Sequence, residues 1–467
     1  MLGVLACSLA WGVQGQAETI AGGYKYSMAM QGDGTVRTWG SNGNGQLGDG
    51  TTTTRSTPTS IGLSNISAIA AGGRHSLALK DDGTVWAWGA NGDGQLGSST
   101  SNPISSPVQL EGLGTVTAIA AGYYHSMVLL SDGTIRALGS NYYGQLGDTT
   151  NTSSSMAVPV YGLTDVAAIA AGYNHSLALK EDGTVWAWGW NYSGELGGGF
   201  TSTSSATPVL VSGVSNIVAI DSDAGYGSHS LALKNDGTVW AWGANSDGQL
   251  GDGTTTQRTT PVQVSGLTNV MAIAAGGDFS LALKTDGTVW AFGGNSLGQL
   301  GNGSTQDSAV PVQVSGLSGV TAITAGGAHG LAVTADGVLW AWGRSSDGQL
   351  GLGDSIMSSD YALTPRQVGS GYLVASSGEQ APAAPSMQVQ TSGQRVTVSW
   401  SGSTGATEYT LFYAPYPNPT YIGSAAMGSA TTFSIDLWSG AAFYVAVAAG
   451  NSVGSSGYSN IGYFVIP

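Results

Sequence analysis

Ala70-Ala71-Gly72-Gly73-Arg74-His75-Ser76-Leu77-Ala78-Leu79-Lys80, Asp81-Asp82-Gly83, Thr84-Val85-Trp86-Ala87-Trp88-Gly89, then Asn91 and Gly94-Gln95-Leu96-Gly97, form the clearest copy of a unit that recurs seven times. The aspartate before the turn glycine marks each copy: Asp33, Asp82, Asp132, Asp182, Asp236, Asp286 and Asp336. Spacing of about 50 residues is the signature of a repeat architecture. Within a copy, His-Ser-Leu-Ala-Leu and Val-Trp-Ala-Trp alternate bulky and small residues. Strand side chains point to opposite faces with period two, so each stretch reads as a strand with one bulky face. Asp-Gly between them is a hairpin signal, because glycine accepts positive φ without a steric cost.

A Pro-Val-Gln-Val type strand (Pro107, Pro261, Pro311) and a Val-x-Ala-Ile strand follow each Gly-Gln-Leu-Gly corner. Four strands per unit is the make-up of a propeller blade, so residues 19–378 are expected to form a seven-bladed β-propeller. The last unit, begun at Asp336, runs through Pro365–Val368 to Tyr372–Ala375 and lacks a His-Ser-Leu-Ala-Leu strand. Tyr26–Met30 supplies one at the other end. The expectation is a ring closed by pairing that first strand with the last unit, which removes both sheet edges.

The repeat ends at Gly378. A short Ala/Pro-rich linker, 379–385, leads to Val396-Thr397-Val398-Ser399-Trp400, Tyr409–Tyr413 and Phe443–Ala448. Residues 386–467 resemble a fibronectin type III domain, with Trp400 as the core tryptophan and Leu437 and Tyr444 at the tyrosine-corner positions. The whole chain therefore reads as all-β.

Composition narrows the function. Net charge is −15, and the thirteen basic residues never form a run. Nucleic-acid binders carry a basic patch or stripe, so nucleic acid is not an expected partner. Residues 1–17 read as a signal segment, with an apolar stretch from Leu2 to Val13 and a small-residue cleavage site at Ala17. The expected location is extracellular, cell-surface or periplasmic. The only cysteine, Cys7, falls inside that segment, leaving a mature chain without disulfides. No other apolar run is long enough to span a membrane. A monomer is expected.

The Gly-x-x-His-Ser-Leu-Ala-Leu, Asp-Gly-Thr-Val-Trp-Ala-Trp-Gly and Gly-Gln-Leu-Gly segments resemble the regulator-of-chromosome-condensation repeat family. The resemblance implies a seven-bladed propeller. Eukaryotic members catalyse nucleotide exchange on a small nuclear GTPase, whereas a secreted bacterial member of similar layout inhibits a β-lactamase. Fold alone does not decide between such functions.

No catalytic constellation is visible. His75, His125, His175, His229 and His329 share one repeat position, one per blade, and read as structural groups bonded to a neighbouring loop backbone. The turn aspartates are likewise one per blade and make no acid–base pair. No cofactor and no metal site are expected. Departures from the repeat are more informative, because loop tips are free to vary. Copies three and four carry Tyr123, Tyr124, Tyr142, Tyr143, Tyr173, Trp190 and Tyr192 where copies two and seven have residues such as Gly92, Asp93, Ser345 and Ser346. Tyrosine and tryptophan are the usual interface anchors, so these are the candidate ligand-binding residues. Copy five has three extra residues before His229, read as an acidic loop, Asp221-Ser222-Asp223. Two carboxylates fall short of a calcium site.

The reading is a secreted or cell-surface binding protein, not an enzyme, that holds a protein or glycan with loop aromatics. The alternative is a guanine-nucleotide exchange regulator of a small GTPase.

Overall fold

The computed structural model describes residues 19–31, 34–222, 225, 228–353, 360–369, 385–403, 406, 408–416, 423–450, 459 and 462–466. The signal segment 1–17, Asp33, Asp223, Tyr372–Ala375 and all of the 379–385 linker except Pro385 lie outside them. The chain divides into two compact units, the repeat array and a C-terminal unit, Ser377–Pro467.

The array contains seven four-stranded antiparallel sheets, each with its strands in chain order. Blade 2 shows why. Its strands are Ile66–Ala71, His75–Lys80, Val85–Gly89 and Ile104–Leu110. Leu77, Ala87 and Trp88 are fully buried, so the alternating pattern packs both faces of the sheet against neighbouring blades. The hairpin after Lys80 turns on Gly83 at φ +80°. Asp82 caps it, accepting from the Thr84 amide at 3.0 Å and the Thr84 hydroxyl at 2.6 Å. The same aspartate–threonine clasp recurs at Asp132, Asp182, Asp236 and Asp286, so these aspartates are turn residues. First strands of the blades surround a cavity of about 570 Å³.

The seam differs from the expected strand exchange. Tyr26–Met30 pairs with Ile20–Gly22 and Val36–Gly40, inside blade 1. Blade 7 is complete in itself, from Val320 to Gln367. The reason is that Thr19-Ile20-Ala21-Gly22 is a short form of the Val-x-Ala-Ile-Ala-Ala first strand, so the repeat and the chain are in phase. No shared sheet closes the ring: side chains do, together with loop main-chain bonds such as Gly353 N–H to Ser56 O at 2.9 Å.

The side chains do so with a device used throughout the array. In five blades the histidine Nε2 lies 2.8–3.0 Å from a serine Oγ of the following blade: His75 with Ser126, His125 with Ser176, His175 with Ser230, His229 with Ser280, and His329 with Ser27. The partner is thus a serine side chain, not the loop backbone expected from the sequence. Each serine hydroxyl donates onward to the main-chain carbonyl of the preceding blade's Gly-Gln-Leu-Gly corner, at 2.8 Å for Ser126 and Gln95. The hydroxyl must therefore accept from the histidine, which fixes the Nε2–H tautomer. Trp39, Trp88, Trp188, Trp242 and Trp342 donate their indole N–H to the same class of carbonyl.

Exceptions obey the same rule. Leu138 and Phe292 replace the tryptophan in blades 3 and 6, and there Ser126 and Ser280 still cap the carbonyl. Gly330 replaces the serine in blade 7, and Trp342 caps Gln299 at 2.9 Å. Blade 6 faces Gly330 with Phe279, which has no donor to satisfy, and a Cβ on Gly330 would sit 2.4 Å from the Trp342 ring. No corner loses both donors, because a bare buried carbonyl is costly.

The C-terminal unit is a β-sandwich. One sheet holds Met387–Ser392, Arg395–Trp400 and Thr432–Asp436; the other holds Gly423–Gly428, Glu408–Pro415, Ala442–Gly450 and Gly462–Val465. Val396, Val398, Trp400, Tyr409, Leu411 and Val447 fill the space between them. Tyr444 is not the corner residue. Val445, Val447 and Ala449 point inward, so Tyr444 points outward, and Phe443 and Leu437 each pack against the core. Phenylalanine brings no hydroxyl to a corner.

Candidate functional site

Because each blade is a simple four-strand meander, the first-to-second and third-to-fourth connections leave the same edge of the sheet. The Asp-Gly hairpins and the inter-blade returns leave the other. Main-chain bonds tie the two loop kinds together: Ser140 N–H donates to Tyr124 O at 3.0 Å, and Trp190 N–H to Asn174 O at 2.9 Å. Gln145 Nε2 links blade 3 to blade 4 by donating to Asn174 Oδ1 at 3.3 Å. Both loop kinds of blades 3 and 4 therefore build one face.

The candidate aromatics fall into two groups on that face. Near the inner strands, Tyr123 touches Tyr124, with centroids 4.5 Å apart, and Tyr173 at 4.7 Å. Tyr24 of blade 1 joins at 5.5 Å, and the Arg74 guanidinium lies 5.8 Å from the Tyr123 centroid. Tyr123 is fully buried, so it is a foundation and not a tip. It rests on Gly73, where a Cβ would lie 2.4 Å from its ring. Tyr124 and Tyr173 are half-buried above it.

Further out, the Tyr143 ring meets Trp190 edge-on at 4.5 Å, and Trp190 stacks on Tyr192 at 5.9 Å. Tyr142 and Tyr192 are 69% and 68% exposed. These loops hold their shape through the buried asparagine of each corner. Asn141 Oδ1 accepts from Leu146 N–H, and Asn191 Oδ1 from Leu196 N–H. The tips are thus rigid aromatic surfaces on a braced turn, which suits recognition at low entropy cost.

Glu195 was not singled out by sequence reasoning. Its signal is a single letter: Gly-Glu-Leu-Gly in blade 4, where the other six corners have glutamine. The side chain is buried, and Oε2 accepts from Ser193 N–H at 2.8 Å. Burial pushes its carboxyl up to about 7, opposed by nearby backbone amides and the Trp190 indole.

Asp221 is not part of an exposed acidic loop. It lies in the first strand of blade 5, Ile217–Ser222, and accepts from Ala275 N–H of blade 6 at 2.8 Å. Thr324 occupies the matching place in blade 7 and accepts from Gly22 N–H at 3.3 Å. Both staple neighbouring inner strands. Burial raises the Asp221 carboxyl to about 6. Among the described residues, no group of three or more His, Cys, Asp or Glu gathers to hold a metal, and no helix is long and apolar enough to cross a membrane.

Fold and loop face together define a repeat propeller whose variable loops converge on one side. A profile of the RCC1-like domain matches residues 9–227, and one of the regulator of chromosome condensation (RCC1) repeat matches 236–283, 286–333 and 336–377. The chain belongs to the RCC1 repeat family. Among solved structures, it is similar to yeast RCC1 (Prp20) bound to Kap60, at 23% identity and TM-score 0.65, covering 77% of this chain and 86% of that one. Prp20p from Saccharomyces cerevisiae, described with its binding to Gsp1p and histones, gives 24% identity and TM-score 0.64, covering 74% and 88%. Human WBSCR16 gives 27% and 0.63, covering 72% and 94%. No curated protein sequence matches.

Proposed function

We propose that this protein is an exported, non-enzymatic binding protein that holds a protein or glycan on the loop face of blades 3 and 4. The observation that carries the reading is the braced set of Tyr143, Trp190 and Tyr192, with Tyr142 and Tyr192 open to solvent beside it. Rigid exposed aromatics of this kind supply hot-spot area at low entropic cost. Tyr124 and Tyr173 border the site toward the inner strands. Export rests on the apolar stretch Leu2–Val13 and the small-residue site at Ala17, and on the resemblance to a secreted bacterial layout. The C-terminal sandwich is read as a fibronectin type III-like spacer or adhesive module.

The experiment is capture from the native medium with the chain beginning at Glu18, followed by affinity measurement on the recovered ligand. Replacing both Trp190 and Tyr192 by alanine should weaken binding at least about thirtyfold, given hot-spot costs near 2 kcal/mol. Undiminished binding by a folded double variant rejects the site. Mass spectrometry of the secreted fraction should find a start near Glu18, and an intact Met1 chain confined to the cytoplasm rejects export.

A further inference from the structure

The C-terminal sandwich carries its own aromatic surface, on the face of its four-stranded sheet that points away from the core. Alternation along Ala442–Gly450 sends Val445, Val447 and Ala449 inward, which turns Tyr444, Ala446 and Ala448 outward. Tyr463 is the register partner of Tyr444 on the next strand. Tyr416, just beyond the strand on the other side, stacks on Tyr463 with centroids 5.0 Å apart and planes within 9°. Tyr444 meets the same Tyr416 ring edge-on at 5.0 Å. Tyr463 nevertheless remains 62% exposed.

The three rings are immobilised by one another, so one ring face is presented without entropy still to be lost. Around them the register sets uncharged residues, Ala446, Ala448, Phe412, Thr410, Ala426 and Ser424, of which Ala446 and Ala448 are buried among their neighbours. Among the described residues, Glu408, at the far end of its strand, is the one that brings a charge to that face. Among the described residues no cation stands beside the rings to meet an anionic ligand. A neutral sugar ring suits the surface well. Its C–H face lies on an aromatic face through dispersion and the ring quadrupole, and its hydroxyls can reach the phenol oxygens.

We propose that the outward sheet face built by Tyr416, Tyr444 and Tyr463 is a binding site for a neutral polysaccharide. The site belongs to the C-terminal unit, and the loop face of blades 3 and 4 to the repeat array. The full chain, with Tyr463→Ala, the pair Tyr416→Ala and Tyr463→Ala, Trp190→Ala to separate the two sites, and a Ser296→Ala control, is tested for retention on insoluble cellulose and chitin and for retardation in gels containing xylan. Binding to at least one of these is expected. It should fall about tenfold or more in Tyr463→Ala and stay unchanged in Ser296→Ala, an exposed position on blade 6. Near-ultraviolet circular dichroism confirms that the variants fold. No retention on any of the three glycans overturns the proposal. So does retention that depends on Trp190 and not on Tyr463. A concentration-dependent dimer abolished by Tyr463→Ala would show that a second copy covers the face, and overturns it as well.

Discussion

His329 Nε2 lies 2.9 Å from Ser27 Oγ, so the last blade grips the first with the same pair that joins blades inside the ring. Ser27 also donates to Gln349 O at 2.8 Å, beside the Trp39 indole at 2.9 Å on the same carbonyl. The seam is therefore an ordinary junction, reinforced by the Lys25–Asp347 ion pair at 3.6 Å.

Ser27→Ala strands the His329 N–H in a buried site and takes one of two donors from Gln349 O. The expected cost is about 1–3 kcal/mol by denaturant titration, the range for a buried group left unpaired. Ser126→Ala at an internal junction should cost a similar amount. Full stability in Ser27→Ala with loss in Ser126→Ala would show that the seam is held by something else. The pair Phe279 and Gly330 suggests a rescue: His329→Phe removes the orphaned donor and should recover part of the loss.

Acid should destabilise the propeller above the ordinary carboxylate range. Burial pushes His75 and His175 down to about 4, and His125, His229 and His329 to about 3. The unfolded chain takes up these protons near pH 6.5, and the folded chain refuses them. Their contribution is thus complete above pH 6.5 and is lost as pH falls toward 4. Glu195 and Asp221 run the other way, since their raised carboxyls favour the folded state below their shifted values. Five groups against two leaves a net loss on acidification. Denaturation midpoints between pH 7.5 and 4.5 measure it, and a flat profile would contradict it.

Glu195→Gln restores the corner residue of the other six blades. A carboxyl raised to about 7 contributes stability below the unfolded value and loses it as pH rises through 7. The variant should match the parent near pH 4, below the unfolded value, and exceed it by roughly 1–3 kcal/mol above pH 8. Equal stability at both values would place the carboxyl in contact with solvent.

Tyr444→Phe should leave the sandwich unchanged within about 0.5 kcal/mol, because the ring faces outward. A loss above 1 kcal/mol in thermal or denaturant unfolding would restore the tyrosine-corner assignment.

Much of this fold was legible because its signals repeat. The bulky–small alternation and the Asp-Gly turn appear in every copy, so one reading served seven times. The seam was misread because Ile20–Gly22 is only three residues long and looks like a lead-in to Tyr26–Met30. Histidine's partner was missed because a contact to Ser126 crosses 51 residues and leaves no local pattern. The candidate aromatics stood out as departures from the repeat. Burial of Tyr123 did not, since it depends on Gly73 of the preceding blade making room. Asp221 looked like loop because the inserted residues follow it directly, yet its carboxylate replaces an alanine inside a strand.

Binding on the face of blades 3 and 4 stands or falls with the contacts of the Trp190 loop. Ser296 holds the matching exposed place in blade 6 and serves as the control. The measurement is calorimetric affinity for the captured ligand with the parent chain, the pair Trp190→Ala and Tyr192→Ala, and Ser296→Ala. The expected loss is at least about thirtyfold for the pair and less than twofold for Ser296→Ala. Equal affinity across all three folded proteins would contradict it and move the binding surface away from blades 3 and 4.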